Sequence, residues 1–167
     1  MDHAVVETIT RFIESIGLSV ITRPIAQETF LPGLLLENGN IIVDPVKLLY
    51  PGDILHEAGH LSAYPPGVRE TISDPLPEYM ADGIEMMALA WSYAACLYIG
   101  IEPKIVFHEH GYKGQSEFLL QSFAAGTYFG LNMLQWMGMA YDEKNAQQFN
   151  VPPYPHMVSW YRTTLID

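Results

Sequence analysis

Two histidines near the middle of the chain are spaced to bind one metal ion. The segment reads His56-Glu57-Ala58-Gly59-His60. On an α-helix, residues four apart lie on the same face, so both imidazoles can reach one zinc ion at about 2.0 to 2.1 Å. Glu57 lies beside that face and can accept a proton from metal-bound water without being a ligand. The motif therefore predicts a Zn²⁺ site with Glu57 as the general base of a hydrolase.

Two histidines leave a catalytic zinc site incomplete, because such sites usually have three protein ligands and one open position. A third histidine at the metzincin spacing is excluded, since Ala63 and Pro66 stand where glycine and histidine are needed. A carboxylate on the following helix is the other source, and we predict Glu78 as the third ligand. Asp82, one turn later, would accept a hydrogen bond from a ligand imidazole. Glu85 lies on the same helical face and is the alternative third ligand.

These three carboxylates lie on a helix that is otherwise apolar. Burying them is costly unless a positive charge faces them, and a zinc ion with its histidines would supply that charge. The alternative is a solvated stripe on an amphipathic helix that binds nothing.

Peptide hydrolysis also needs a group that stabilises the oxyanion, commonly a histidine or tyrosine from elsewhere in the fold. The sequence offers His108, His110, Tyr112, Tyr154 and His156. His108 and His110 lie in an irregular, Gly-flanked segment, where functional residues are common. Because residues two apart in extended chain point to opposite sides, at most one of them should face the metal. His156 follows Pro155, and the alternative for each histidine is an ordinary surface residue.

The first part of the chain predicts one helix and a small sheet. Apolar residues at helical spacing indicate an amphipathic helix over 3–16, which Gly17 ends. Residues 18–23 favour a strand. Asn38-Gly39 between two apolar runs is typical of a tight hairpin. We therefore expect a small antiparallel sheet.

From residue 54 onward, the sequence predicts mainly helices. Asp53 is a candidate N-cap for a helix over 54–63 that carries the histidines. A long apolar helix is expected over 75–99, another over 115–138 and a short last one over 156–164.

The order of these features resembles a known group of peptidases. His56-Glu57-Ala58-Gly59-His60 followed by Glu78-Tyr79-Met80-Ala81-Asp82 is similar to the gluzincin pattern, a HExxH helix and then an ExxxD helix. The compact size and element order most resemble the ImmA/IrrE type of minimal zinc metallopeptidase domain. The resemblance covers residues 1–95 and implies a zincin-like α+β fold, mostly helical with a small antiparallel sheet. Residues 100–167 would form the helical C-terminal part of the same single domain, 1–167.

The composition of the chain limits the kinds of binding partner and the cellular compartment that we expect. The net charge of −11, with 8 Lys and Arg, works against binding nucleic acid or an anionic membrane. The most apolar stretch, over 86–101, is shorter than the about 20 residues that span a bilayer. One cysteine, Cys96, cannot form an internal disulfide, which favours the reducing cytoplasm. The apolar faces of the helices must be buried against other surfaces, and a second copy of the chain could supply one, which would give a homo-oligomer.

The sequence therefore predicts a zinc-dependent hydrolase, a metallopeptidase acting on a peptide or protein substrate. The alternative is a non-catalytic zinc-binding regulatory or interaction domain. An open fourth coordination position would favour the enzyme, whereas a fourth protein ligand such as Glu85 or His108 would favour the binding domain.

Overall fold

A computed structural model describes residues 3–76 and 81–162, and the side chains of Ala81 and Asp82 also lie outside that description. The predicted α+β class is confirmed. The elements in chain order are α1 (His3–Ser15), β1 (Ser19–Thr22), β2 (Leu34–Glu37), β3 (Asn40–Val43), α2 (Gly52–Ser62), α3 (Ala81–Ile99), α4 (Ser116–Ala124), α5 (Leu131–Trp136) and α6 (Glu143–Phe149). Short 3₁₀ turns lie at Arg69–Thr71, Pro103–Ile105 and Tyr112–Gly114.

The first helix follows from its amphipathic sequence. Ile9, Phe12 and Ile13 form its buried face, because their spacing places them on one side of a helix. Gly17 follows the helix with a φ of 89°, a left-handed conformation that glycine adopts without steric cost. The prediction for this part of the chain is confirmed.

The sheet is mixed. β3 lies in the middle, between β1 and β2. β2 and β3 form the predicted hairpin, and its two turn residues, Asn38 and Gly39, have φ values of 49° and 72°, as a tight hairpin turn requires. β1 runs parallel to β3, with Val20 opposite Ile41, so the prediction of an antiparallel sheet is wrong for β1. The hairpin partner β2 occupies one edge of β3, so β1 pairs with the other edge, a choice that no local pattern reveals.

The outer edge of β2 is paired with the segment that leads towards α3. The Leu36 backbone N–H donates to Asp74 Oδ2 at 2.7 Å, and the Asp74 N–H donates to the Leu36 carbonyl at 3.0 Å. The Asn38 N–H donates to Ser73 Oγ at 2.8 Å. Pro75 is not helical, so a helix beginning there is wrong: the chain first pairs with the sheet.

α2 begins two residues earlier than a cap at Asp53 requires. Its first residue is Gly52, and the preceding Pro51 makes no side-chain capping bond. Asp53 instead lies in the first turn, where its Oδ1 is 2.9 Å from His108 Nε2. The prediction of Asp53 as the N-cap is therefore wrong. Every residue of α2 is buried.

α3 ends at Ile99, as predicted. It is apolar on most sides because it packs against several elements at once, α1, α2 and α5 among them. Met87, Trp91 and Ala94 are all buried within it. No helix in the described part of the chain has both the length and the apolar character needed to cross a membrane.

The helix predicted over 115–138 is wrong as a single element. α4 and α5 are separated by a turn in which Gly126 and Gly130 have φ values of 83° and 88°. A side chain at Gly130 would overlap the Met86 carbonyl of α3. The break therefore follows from the close approach of two backbones.

The last part of the described chain also differs from the prediction. Residues 156–162, expected to begin a helix, are not helical. A helix that was not predicted, α6, precedes them. Asp142 caps it by accepting the Asn145 backbone N–H at 2.8 Å.

Candidate metal centre

α2 and α3 together bring two histidines and one glutamate into a single cluster. Among the described residues, His56, His60 and Glu85 each offer a ligand atom within 4.8 Å of the other two. Glu85 Oε2 lies 3.0 Å from His60 Nε2, and Glu85 Oε1 lies 3.4 Å from His56 Nε2. One metal ion can contact three atoms placed so closely.

The packing of the two helices explains why Glu85 reaches the histidines. Gly59 lies between His56 and His60 in sequence, on the helix that faces α3. A Cβ at Gly59 would lie 3.2 Å from both Cα and Cβ of Ala88, tighter than normal packing. Ala88 is three residues after Glu85, on the same face of α3. The glycine of the motif thus permits the close helix contact that carries Glu85 to the histidines.

Each histidine has a separate neighbour at its other ring nitrogen. His60 Nδ1 lies 3.3 Å from Glu57 Oε2, and His56 Nδ1 lies 3.3 Å from the Tyr112 hydroxyl oxygen. Burial raises the pKa of Tyr112 well above its ordinary value, so this hydroxyl stays protonated. Both Nε2 atoms therefore face Glu85, while both Nδ1 atoms face other side chains.

The charges of the cluster are strongly coupled. Burial lowers the pKa of His60, but Glu57 and Glu85 outweigh that effect and raise it to about 10. Burial likewise raises the pKa of Glu85, but hydrogen bonds and charges from His56 and His60 outweigh it and hold the pKa well below its usual range. Without a metal, the cluster thus holds a positive charge on His60 between two carboxylates.

The cluster is open to solvent on one side. The side chains of His56, His60 and Glu57 are 9%, 8% and 11% exposed, whereas that of Glu85 is 48% exposed. A cation held by these residues would lie near the surface, at the glutamate, with the histidines forming the buried wall.

The segment after Val106 packs over the first turn of α2. His108 is bound to Asp53 and stacks on the ring of Tyr50 at a centroid distance of 3.9 Å. Burial raises the pKa of Asp53, and its hydrogen bond to His108 opposes that shift. Gly52 lacks a Cβ, which would overlap the Ile105 carbonyl. These contacts position the segment that carries Tyr112.

The structure brings together some of the predicted site residues. His56, Glu57 and His60 lie together, and Glu85, the alternative third ligand, completes the described group. Glu78 and the side chain of Asp82 lie outside the described residues, so their predicted roles stay predictions.

The other candidate histidines lie elsewhere. His108 faces Asp53, not the ligand atoms. His110 is mostly exposed and contacts Glu109 at 3.2 Å. His156 is exposed. Tyr112, by contrast, touches His56, and nothing in its local sequence indicates that contact.

Comparison with known proteins leaves the chain without a match. It matches no protein-family model, no curated protein and no solved structure. The resemblance to gluzincins and to the ImmA/IrrE type therefore stays a prediction based on the two motifs. The site is a His-His-Glu group on two packed helices.

Proposed function

We propose that this protein is a zinc-dependent hydrolase whose substrates are peptides or proteins. One observation carries the proposal: His56, His60 and Glu85 converge within 4.8 Å, with Glu57 next to His56 on the same helix. Two imidazoles and one carboxylate are a common catalytic ligand set for zinc and leave a fourth position open. The peptide substrate and the zincin-like fold rest on the resemblance to the gluzincin pattern.

Each residue of the cluster would have a separate role in hydrolysis. A bound Zn²⁺ would polarise a carbonyl group and lower the pKa of a water molecule. Glu57, on the same helix as both histidines, would take the proton of the attacking water. Glu85, the exposed ligand, would leave the approach to the carbonyl open on its side. This division predicts that Glu57 can be changed without loss of the metal.

The decisive experiment compares metal content and peptide hydrolysis in Glu57→Gln. Glutamine keeps a carbonyl oxygen that can accept from His60 Nδ1, but it cannot take a proton. We expect about one zinc per chain, as in the wild type, and a loss of turnover of at least about 100-fold, the lower range for a general base. Glu117→Gln, on the exposed side of α4, is the matched control. Full turnover in zinc-loaded Glu57→Gln would refute the hydrolase mechanism.

The same assay assigns the third ligand. Glu85→Ala should lose zinc during dialysis, because it removes one of three ligands, whereas Glu117→Ala should not. Glu78→Ala and Asp82→Ala test the ligand and the hydrogen-bond acceptor expected from the ExxxD motif. If Glu78→Ala lost zinc and Glu85→Ala retained it, the third ligand would be Glu78 and not Glu85.

One contact favours a second candidate, a non-catalytic zinc-binding domain with a regulatory or interaction role. Glu57 Oε2 lies against His60 Nδ1 at 3.3 Å, where it orients a ligand imidazole instead of facing a substrate. If orientation is its whole role, the protein binds zinc and hydrolyses no peptide, in the wild type as in Glu57→Gln. A peptide-library cleavage assay on the zinc-loaded wild type separates the two candidates.

A further inference from the structure

Tyr112 lies behind one of the two ligand histidines. Its hydroxyl oxygen is 3.3 Å from His56 Nδ1, and the two rings meet edge to face with centroids 5.6 Å apart. The residues are 56 positions apart in the chain. The contact is therefore tertiary and joins the Tyr112–Gly114 turn to α2.

The backbone at Tyr112 adopts a conformation that its side chain disfavours. Tyr112 and Lys113 both have a φ of 53°, in the left-handed region that costs energy for residues other than glycine. Neighbouring contacts hold the turn in place: Phe107 packs against the Tyr112 ring at 5.3 Å, and the Gln115 N–H donates to the Tyr112 carbonyl at 3.0 Å. The turn thus presents the phenol to α2 at the expense of local strain.

A neutral imidazole has one hydrogen for its two nitrogens. To bind a cation through Nε2, His56 must carry that hydrogen on Nδ1. The atom facing Nδ1 is the Tyr112 oxygen, which can accept it, and the atom facing Nε2 is Glu85 Oε1 at 3.4 Å. His60 shows the same arrangement, with Glu57 at Nδ1 and Glu85 at Nε2.

We propose that Tyr112 is a positioning residue of the metal site: its hydroxyl oxygen accepts the Nδ1–H of His56 and fixes the tautomer whose Nε2 lone pair points at the cation. The inference rests on the proposed function, because it takes His56 as a ligand. Tyr112 fixes the ring without adding a third negative charge beside Glu57 and Glu85. His60 is oriented by an anion and His56 by a neutral hydroxyl.

The test compares Tyr112→Phe with Tyr98→Phe. Phenylalanine keeps the ring contacts with Phe107 and His56 and removes only the oxygen, while Tyr98 is a 71% exposed tyrosine packed near α1, which makes it a matched control. Competition with a zinc chelator should show Zn²⁺ affinity about 10- to 100-fold weaker in Tyr112→Phe, the usual range for such partners, and unchanged in Tyr98→Phe.

A second measurement reports the tautomer directly in the wild-type protein. Long-range ¹H–¹⁵N spectra of the zinc-loaded chain should show His56 with its hydrogen on Nδ1, exchanging slowly with solvent, and Tyr112→Phe should speed that exchange. An Nε2–H tautomer at His56 would overturn the proposal, as would unchanged zinc affinity in Tyr112→Phe. A wild type that binds no zinc would instead refute the proposed function, so the two failures are distinguishable.

Discussion

A proton and the proposed metal ion would compete for the same lone pair, that of His60 Nε2. His60 Nδ1 is 3.3 Å from Glu57 Oε2, and its Nε2 is 3.0 Å from Glu85 Oε2. These carboxylates raise the pKa of His60 to about 10 although burial opposes them. The imidazole is therefore charged at neutral pH, and it must release its proton before Nε2 can act as a ligand.

The release of this proton predicts a pH dependence of zinc binding. Because the raised pKa keeps His60 protonated below about pH 10, displacing the proton becomes easier as pH rises. We expect Zn²⁺ affinity to rise about tenfold per pH unit between about pH 7 and 8.5. Calorimetry in two buffers with different ionisation enthalpies measures the protons released. Glu57→Gln, which removes one of the charges that raise this pKa, should show a weaker dependence, and a wild-type affinity independent of pH would contradict a charged His60.

At the scale of residues, helical geometry made part of the site predictable. His56 and His60 are four apart, so their shared face follows from the helix alone. The choice between Glu78 and Glu85 does not follow, because the sequence places both carboxylates on one predicted helix, seven residues apart. Among the described residues, the packing of α2 on α3 brings Glu85 to the histidines. Tyr112 is a candidate site residue from the sequence, but its contact with His56 could not be predicted, since it depends on a turn 56 residues away.

The separation of α2 and α3 sets the distance between the histidines and Glu85. At Gly59 the two helices approach so closely that a Cβ would lie 3.2 Å from Ala88 and 3.4 Å from Trp91 Cε3. Both neighbours are fully buried, so neither can move aside without disturbing the core. The spacing of the proposed metal ligands therefore depends on a glycine that is not itself one of them.

Gly59→Ala tests this spacing. The added methyl group should push the helices apart and lower the free energy of unfolding by about 1 to 3 kcal/mol, as overpacking does in cores. It should also weaken zinc binding, because Glu85 moves away from the histidines. Gly83→Ala is the control: its Cβ would meet only the terminal methyl of Met133 at 3.2 Å, so denaturant unfolding should show little loss. Equal stability of the two variants would contradict the packing argument.

At the scale of elements, the sequence predicted those helices and turns whose formation depends on neighbouring residues. The amphipathic α1 and the Asn38-Gly39 hairpin follow from short-range spacing and turn chemistry. The parallel pairing of β1 and the break between α4 and α5 do not, because they depend on an available edge of β3 and on the contact of Gly130 with the Met86 backbone. The prediction of one long helix over 115–138 is wrong because Gly130 lies against the Met86 backbone, where the chain turns.

Two distant parts of the chain meet at the end of α2, and Arg69 joins them. Its guanidinium donates to the carbonyls of Leu61 at 3.1 Å, Tyr64 at 2.8 Å and Arg162 at 3.0 Å. It also lies over the Tyr161 ring, 4.9 Å from the centroid. These carbonyls belong to the last turn of α2, to the residues just after it and to the C-terminal part of the described chain.

Arg69→Ala should therefore destabilise the molecule as a whole. Three carbonyls lose a charged donor, which we expect to lower the free energy of unfolding by about 2 to 4 kcal/mol in urea denaturation. Arg11→Ala is the matched control, since its ion pair with Glu7 is exposed and should contribute less than about 1 kcal/mol. Because His60 immediately precedes Leu61, zinc affinity should fall in Arg69→Ala and not in Arg11→Ala. A loss of stability without a loss of affinity would show that the end of α2 stays fixed without Arg69.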